Sequence, residues 1–256
     1  MKKFALLTSL AVMMLACTKT QTTDDHNKSV NEIKTPILSS DVTSLSVDMG
    51  SELLALVFSW SNVITDKVFP TYELVITDEK DADWENAERF ICNSVRKPFS
   101  HSELDDMVRR RGYSINEEVT FKAIVHASAS GHKPVSSNVV TIKLQVKIPS
   151  LYPIGSATPY GWDTRLSVPM KKNGDVFICD LNLLADQDLK FIVFNTSWWP
   201  GIVNASSDPH IYKPLLHFTE LDWELDKKFH VDKDGRYRLT VNTSDANNIT
   251  FTAELL

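Results

Sequence analysis

Between Ile37 and Leu256 the chain is written almost entirely in short runs of alternating apolar and polar residues. "VTSLSV", "LLALVFSW", "TYELVIT", "AERFICN", "EVTFKAIVHASA" and "NVVTIKLQV" come first, rich in β-branched residues. After them follow "DVFICDL", "DLKFIVF", "HIYKPLLHF", "KKFHV", "GRYRLTVNT" and "NITFTAEL". A period of two places successive side chains on opposite faces of a sheet, so each run can cover a core with one face and meet water with the other. Short strands at this spacing pack as two-layer sandwiches, and the pattern predicts an all-β fold. One segment breaks the period. In "SHSELDDMVRRRGYS", Ser100 and Glu103 make a capping box, Leu104, Met107 and Val108 share a face, and Gly112 stands near the end, which predicts a single helix. Arg109 to Arg111, the one dense basic run, fall at its C-terminal end, where cations complement the helix dipole.

The texture changes near Pro149, where "KIPSLYPIGSATPYGWDT" is rich in proline and glycine. This predicts a boundary between a sandwich over residues 37–148, containing the helix, and a second sandwich over 150–256. Trp60, closing "LLALVFSW", is expected in the first core. The two halves differ in strand and aromatic spacing, so no internal repeat is apparent.

The chain opens with Lys2 and Lys3, then "FALLTSLAVMML" from Phe4 to Leu15. That apolar run is too short for a comfortable membrane span and suits a secretory signal. It ends in Leu15-Ala16-Cys17, which resembles a bacterial lipobox. By that resemblance residues 1–17 are a lipoprotein signal, and Cys17 becomes an acylated N-terminus anchored in a membrane by several chains. The other reading is an ordinary cleaved signal that happens to contain a cysteine. Residues 18–36 are polar and aperiodic, as expected of a flexible tether. Asp24-Asp25 within it is similar to the acidic sorting signals of surface-exposed Bacteroidetes lipoproteins, which implies an outer-membrane protein facing the exterior. An exported chain would keep Cys92 and Cys179, which permit a disulfide but read more simply as two buried free thiols in separate domains. The formal net charge of -6, without a concentrated cationic patch, argues against nucleic acid as a partner.

Chemistry concentrates in the second half. Trp162 sits in "PYGWDT", a glycine-bearing turn beside Tyr160, and Trp198-Trp199 lie in "FNTSWWPGIVN", just before a Pro-Gly break. Strand alternation predicts that the adjacent tryptophans face opposite sides, one into the core and one outward. An exposed ring at a loop can stack on the apolar face of a pyranose, whose C–H groups meet the negative π face. Lys190, Asn195, Asp163 and Arg165 stand within a few residues and offer donors and acceptors for hydroxyls. The competing reading is that these aromatics only pack turns and core. Continuing the strand register from Lys190 favours Trp198 over Trp199 as the outward ring. Other chemistry finds little support. "DKDG" (Asp232 to Gly235) lacks the ligand set of an EF-hand, His210 and His217 share no ligand spacing with a third donor, and no cofactor motif or glycosidase cleft is legible.

"LYPIGSATPYGWD", followed by "DLKFIVF…WW" and "KKFHVDKDGRYRLTVN", resembles the glycan-binding module of the SusE/SusF family of outer-membrane lipoproteins. Upstream, "ILSSDVTSLSV…FSW…YELVI" resembles that family's N-terminal immunoglobulin- or fibronectin-like domain, helix included. The resemblance implies a non-enzymatic surface protein that holds polysaccharide, such as a starch-like α-glucan, for a neighbouring TonB-dependent importer and its glycan-binding lipoprotein partner. It also implies that Trp162 and one later tryptophan form an aromatic platform, with Lys190 hydrogen-bonding the sugar. The alternative, of a different class, is an accessory protein that only contacts the importer's proteins.

Overall fold

The computed structural model describes residues 33–63, 69–218 and 223–256. The leader, Cys17 and most of the tether lie outside the described residues. The first half contains β1 (Leu38–Ser40), β2 (Ser44–Asp48), β3 (Leu54–Trp60), β4 (Thr71–Asp78), β5 (Glu88–Cys92), β6 (Arg96–Ser100), α1 (His101–Arg110), β7 (Glu118–Ser128), β8 (Val135–Ser136) and β9 (Val140–Lys147). The second half contains β10 (Tyr152–Ile154), β11 (Lys171–Asn173), β12 (Val176–Leu183), β13 (Gln187–Ile192), β14 (Gly201–Asn204), β15 (Pro214–His217), β16 (Phe229–Val231), β17 (Gly235–Asn242) and β18 (Thr250–Leu255).

In the first half a three-stranded sheet, β1-β3-β6, accompanies a six-stranded sheet, β2-β9-β7-β4-β5, with β8 on β7. All pairs are antiparallel except β2 with β9. Alternation works as expected on β7, where Val119, Phe121, Ala123, Val125 and Ala127 are buried and the residues between them are not. Trp60 is a core residue, tilted against Tyr72 with ring centroids 5.7 Å apart. Helix α1 opens on the capping box. Ser100 Oγ accepts from the Glu103 N–H at 3.1 Å, and Glu103 Oε2 accepts from the Ser100 N–H at 2.8 Å. Such a cap contributes about 1 kcal/mol. Leu104, Met107 and Val108 are the face it buries. In the basic run Arg109 pairs with Asp105 at 2.9 Å and lies over the Phe218 ring at 5.2 Å, Arg110 pairs with Glu88 at 2.8 Å, and Arg111 donates to the Asn86 carbonyl at 2.7 Å.

In the second half β10-β13-β14-β15, with β16 also on β13, makes a five-stranded sheet, and β11-β12-β17-β18 makes a four-stranded one. Phe191, Phe229 and Phe251 meet in their core, the last two at 4.8 Å between centroids. The all-β sandwich architecture expected from the alternation is the architecture observed. Two local readings differ. "GIVN" is a strand, β14, buried at all four positions. It lies between β13 and β15, and a strand covered on both faces has no alternation to betray it. Of "HIYKPLLHF", only Pro214–His217 forms a strand; the residues before it are a loop.

Among the described residues no strand before Ile148 pairs with one after it. Side chains link the two halves instead. Lys147 pairs with Asp175 at 2.9 Å, and Lys172 Nζ donates to the Ile148 carbonyl at 2.8 Å. Gly50, in the β2–β3 turn, lies so close to Phe194 that a Cβ there would stand 2.6 Å from the phenyl ring. Cys92 and Cys179 are free thiols, the first buried and the second half-buried. Burial pushes both thiols up, Cys179 to about 12 with Asp180 adding to the effect, so neither is a ready nucleophile.

Candidate functional site

Two loops bring the tryptophans together. The first runs from Gly155 to Asp163 and is closed by its own backbone. The Gly155 N–H donates to the Gly161 carbonyl at 2.8 Å, and Thr158 Oγ1 donates to the Gly155 carbonyl at 3.0 Å. This turn lies directly on β13, where the Ala157 N–H donates to the Asp188 carbonyl at 3.0 Å. Gly155 makes that approach possible. Its φ is +137°, and a Cβ would stand 2.2 Å from the Asp188 carbonyl oxygen.

The second loop connects β13 to β14. The Val193 N–H donates to the Pro200 carbonyl at 3.0 Å and closes its base. Inside it the Ser197 N–H donates to the Phe194 carbonyl at 3.3 Å, and Ser197 Oγ donates to the Trp199 carbonyl at 2.7 Å. The Trp199–Pro200 peptide is cis.

Trp162 and Trp198 meet across these loops. Their ring centroids are 6.1 Å apart with 33° between planes, and each residue is 38% exposed. Against Trp198 and Trp199 lies Lys190, whose ammonium is 5.2 Å from the Trp198 ring centroid and 4.2 Å from that of Trp199. Lys190 is 1% exposed. A charge so buried requires a counter-charge, and Asp226 supplies one at 2.9 Å while also pairing with Lys228 at 2.8 Å. Trp199, half-buried, rests edge-on against His217 at 4.8 Å between centroids.

The expectation that strand alternation sends Trp198 and Trp199 to opposite sides is corrected here. β13 ends at Ile192 and a turn follows at Asn195-Thr196 before either tryptophan, and both rings face one ammonium. Lys190, which the resemblance has hydrogen-bonding the sugar, has 2% of its side chain exposed and lies against Trp198 and Trp199. Asn195 is half-buried in the Trp198 loop, and Tyr160 is half-buried in the Trp162 turn. Asp163 and Arg165 flank Trp162 but are engaged with each other. Asp163 caps the short 3-10 turn Thr164–Leu166, and Arg165 donates to both of its carboxylate oxygens, at 3.0 and 2.8 Å. Those hydrogen bonds hold the Asp163 carboxyl below the usual carboxylate range. Cys17 lies outside the described residues. Asp226 and His217 escape sequence reasoning because nothing in their local context ties them to residues far away along the chain. Elsewhere in this half, His210, His230 and Asp232 offer ligand atoms within 4.8 Å of one another, a grouping that the separation of His210 from the other two conceals in the sequence.

No family model matches the chain, and no curated protein matches it in sequence. Among solved structures it is similar to SusF from Bacteroides thetaiotaomicron, with a TM-score of 0.29 and 14% identity over 86% of this chain and 52% of that one. The chain thus spans about half the length of that protein.

Proposed function

We propose that this chain is a surface lipoprotein that binds polysaccharide and takes no part in its chemical breakdown. The observation that carries the reading is the Trp162–Trp198 pair: two rings 6.1 Å apart, each partly exposed, with the Trp198 ring set on a buried cation. Exposed tryptophan is scarce on a protein surface without a partner. Consecutive pyranoses present apolar faces that such rings can cover, and the 33° between planes suits a chain that curves, such as a starch-like α-glucan. Asn195, Tyr160, Asp163 and Arg165 border the pair and supply polar groups for hydroxyls. Lys190 acts as a positioning residue against Trp198, while Trp199 supports the loop from the side.

The motif resemblance to SusE/SusF lipoproteins extends the proposal. Cys17 carries the lipid anchor in the outer membrane, residues 18–36 tether the protein outward, and residues 37–148 form an immunoglobulin-like spacer. Residues 150–256, which contain every candidate sugar contact, form the binding domain. The partner is a TonB-dependent importer with its glycan-binding lipoprotein.

The test is a panel of soluble polysaccharides run against purified protein, with Trp162→Ala and Trp198→Ala as variants. The expected result is retention of at least one polysaccharide and a loss of tenfold or more in each variant, equivalent to about 1.4 kcal/mol or more. If the wild type retains none and instead co-purifies with importer components, the protein-contact alternative takes its place.

A further inference from the structure

The second half carries a cluster that the tryptophan pair does not use. His230 is the middle residue of β16, between buried Phe229 and Val231, so alternation turns its ring away from the core. Strand register sets it opposite Asp188 on β13, and its Nδ1 lies 3.1 Å from Asp188 Oδ1. Asp232 stands two residues on, just past the end of β16. His210 arrives from the β14–β15 connection, which is pinned to β16. The His230 N–H donates to the Pro209 carbonyl at 3.2 Å, and the Tyr212 hydroxyl donates to the His230 carbonyl at 2.6 Å. The two imidazoles sit 5.0 Å apart at 75°, and His210 Nδ1 is 2.6 Å from Asp232 Oδ1.

We propose that His210, His230 and Asp232 form a site for a divalent transition-metal ion of the zinc class. Two imidazole nitrogens and one carboxylate oxygen are a donor set that zinc accepts and that calcium and magnesium, which take oxygen ligands, do not. Bonds of about 2.0–2.2 Å in tetrahedral geometry place donor atoms roughly 3.3 Å apart. The present spread of up to 4.8 Å must therefore contract. The side chains of His210 and Asp232, 53% and 60% exposed, are free to make that adjustment, while His230 at 23% is the fixed point. The ion enters between His210 Nδ1 and Asp232 Oδ1, the neutral His210 ring then carrying its one proton on Nε2, and water completes the coordination. Asp188 holds the His230 ring as an outer-shell partner. The bound ion clips the β14–β15 connection to β16.

The experiment is calorimetric titration of the metal-free full chain with Zn²⁺ at neutral pH, with Ca²⁺ as the comparison ion and melting followed with and without Zn²⁺. One equivalent of Zn²⁺ should bind and raise the melting temperature, and Ca²⁺ should do neither. Asp188→Asn should weaken Zn²⁺ binding by roughly 10–100-fold, as loss of an outer-shell partner does, and His210→Ala or His230→Ala by more. His210 is exposed, so its variant keeps the fold and keeps the test decisive. Half-buried His132 lies in the first half, far along the chain from the cluster, and His132→Ala should bind as the wild type does. No saturable Zn²⁺ uptake by the wild type, or equal uptake by His210→Ala and His230→Ala, overturns the proposal.

Discussion

Replacing Gly155 by alanine tests whether the Trp162 turn depends on lying flat against β13. The added Cβ meets backbone on two counts: the Asp188 carbonyl oxygen at 2.2 Å and Leu189 Cα at 2.7 Å. Neither atom can swing aside as a side-chain end could, so the turn must lift from the strand. Three costs follow. Holding a non-glycine residue at a φ of +137° costs about 1–3 kcal/mol. Relieving the overlap costs about 1–3 kcal/mol more, and lifting the turn strains the Ala157–Asp188 hydrogen bond, worth about 1 kcal/mol. The sum is about 3–7 kcal/mol, which at roughly 3 °C per kcal/mol lowers the melting temperature by about 10–20 °C. Gly161→Ala is the control on the same turn. Its φ of +56° is also strained for alanine, but nothing lies within 4 Å of the new Cβ, so a shift of only a few degrees is expected. Below its own melting temperature, Gly155→Ala should also bind polysaccharide less well, because the displaced turn carries Trp162 away from Trp198. Equal, small melting shifts in the two variants would refute the close-approach argument.

Trp199→Ala, which empties a half-buried site against His217 and Lys190, should lower the melting temperature clearly, whereas Trp198→Ala should change it little and lose polysaccharide; the reverse ranking in paired melting and binding assays would discredit the division of roles. Asp180→Asn reports on acid stability. Hydrogen bonds from Arg238 hold the Asp180 carboxyl below its usual value, so the wild type's advantage should be complete above about pH 4 and fade as pH falls through the folded-state value; a gap unchanged down the acid limb contradicts this. Gly50→Ala should weaken polysaccharide binding without touching sugar, since the new methyl displaces Phe194 at the head of the Trp198 loop, and unaltered affinity would show that the loop does not lean on the first half. Cys17→Ala should convert a membrane-associated protein into a soluble one on fractionation, and unchanged association would count against the lipobox.

Apolar, β-branched runs are legible as strands whether or not their burial alternates, as β7 and β13 show. β7 reads as a strand from its buried-exposed period alone, and α1 reads as a helix from Ser100, Glu103 and its apolar face. β14 does not, because "GIVN" opens within a Pro-Gly pair that marks the entry to a strand as readily as its end. The site was legible as composition but not as geometry. Tryptophans in turn-like contexts point to Trp162 and Trp198, yet their meeting depends on where two loops land on β13, a tertiary fact. The strand argument about Trp198 and Trp199 failed for a local reason: Asn195-Thr196 form a turn, and Ser197 Oγ bridges to Trp199, so the period of two stops before the pair begins. Asp226 is invisible for another reason, since a carboxylate that neutralises a lysine 36 positions away leaves no periodic trace.

Lys190 is the residue whose presence most needs an explanation. Its strand neighbours Leu189 and Phe191 are fully buried, and an apolar side chain at 190 would avoid the cost of desolvating an ammonium. Replacing a buried ion pair by packed apolar residues is often neutral or stabilising, so stability alone does not account for a lysine here. Its ammonium does two things an apolar residue cannot. It draws the Asp226 side chain in from beyond β15, and it attracts the negative π faces of Trp198 and Trp199, worth up to about 2 kcal/mol when desolvated. An exposed loop bearing two large rings would otherwise sample many orientations, and each lost orientation would have to be recovered from the binding energy of the ligand. Fixing the rings in the free protein moves that cost from binding to folding. On the proposed function, the buried cation belongs to the polysaccharide-binding surface more than to the core, even though no ligand need ever touch it.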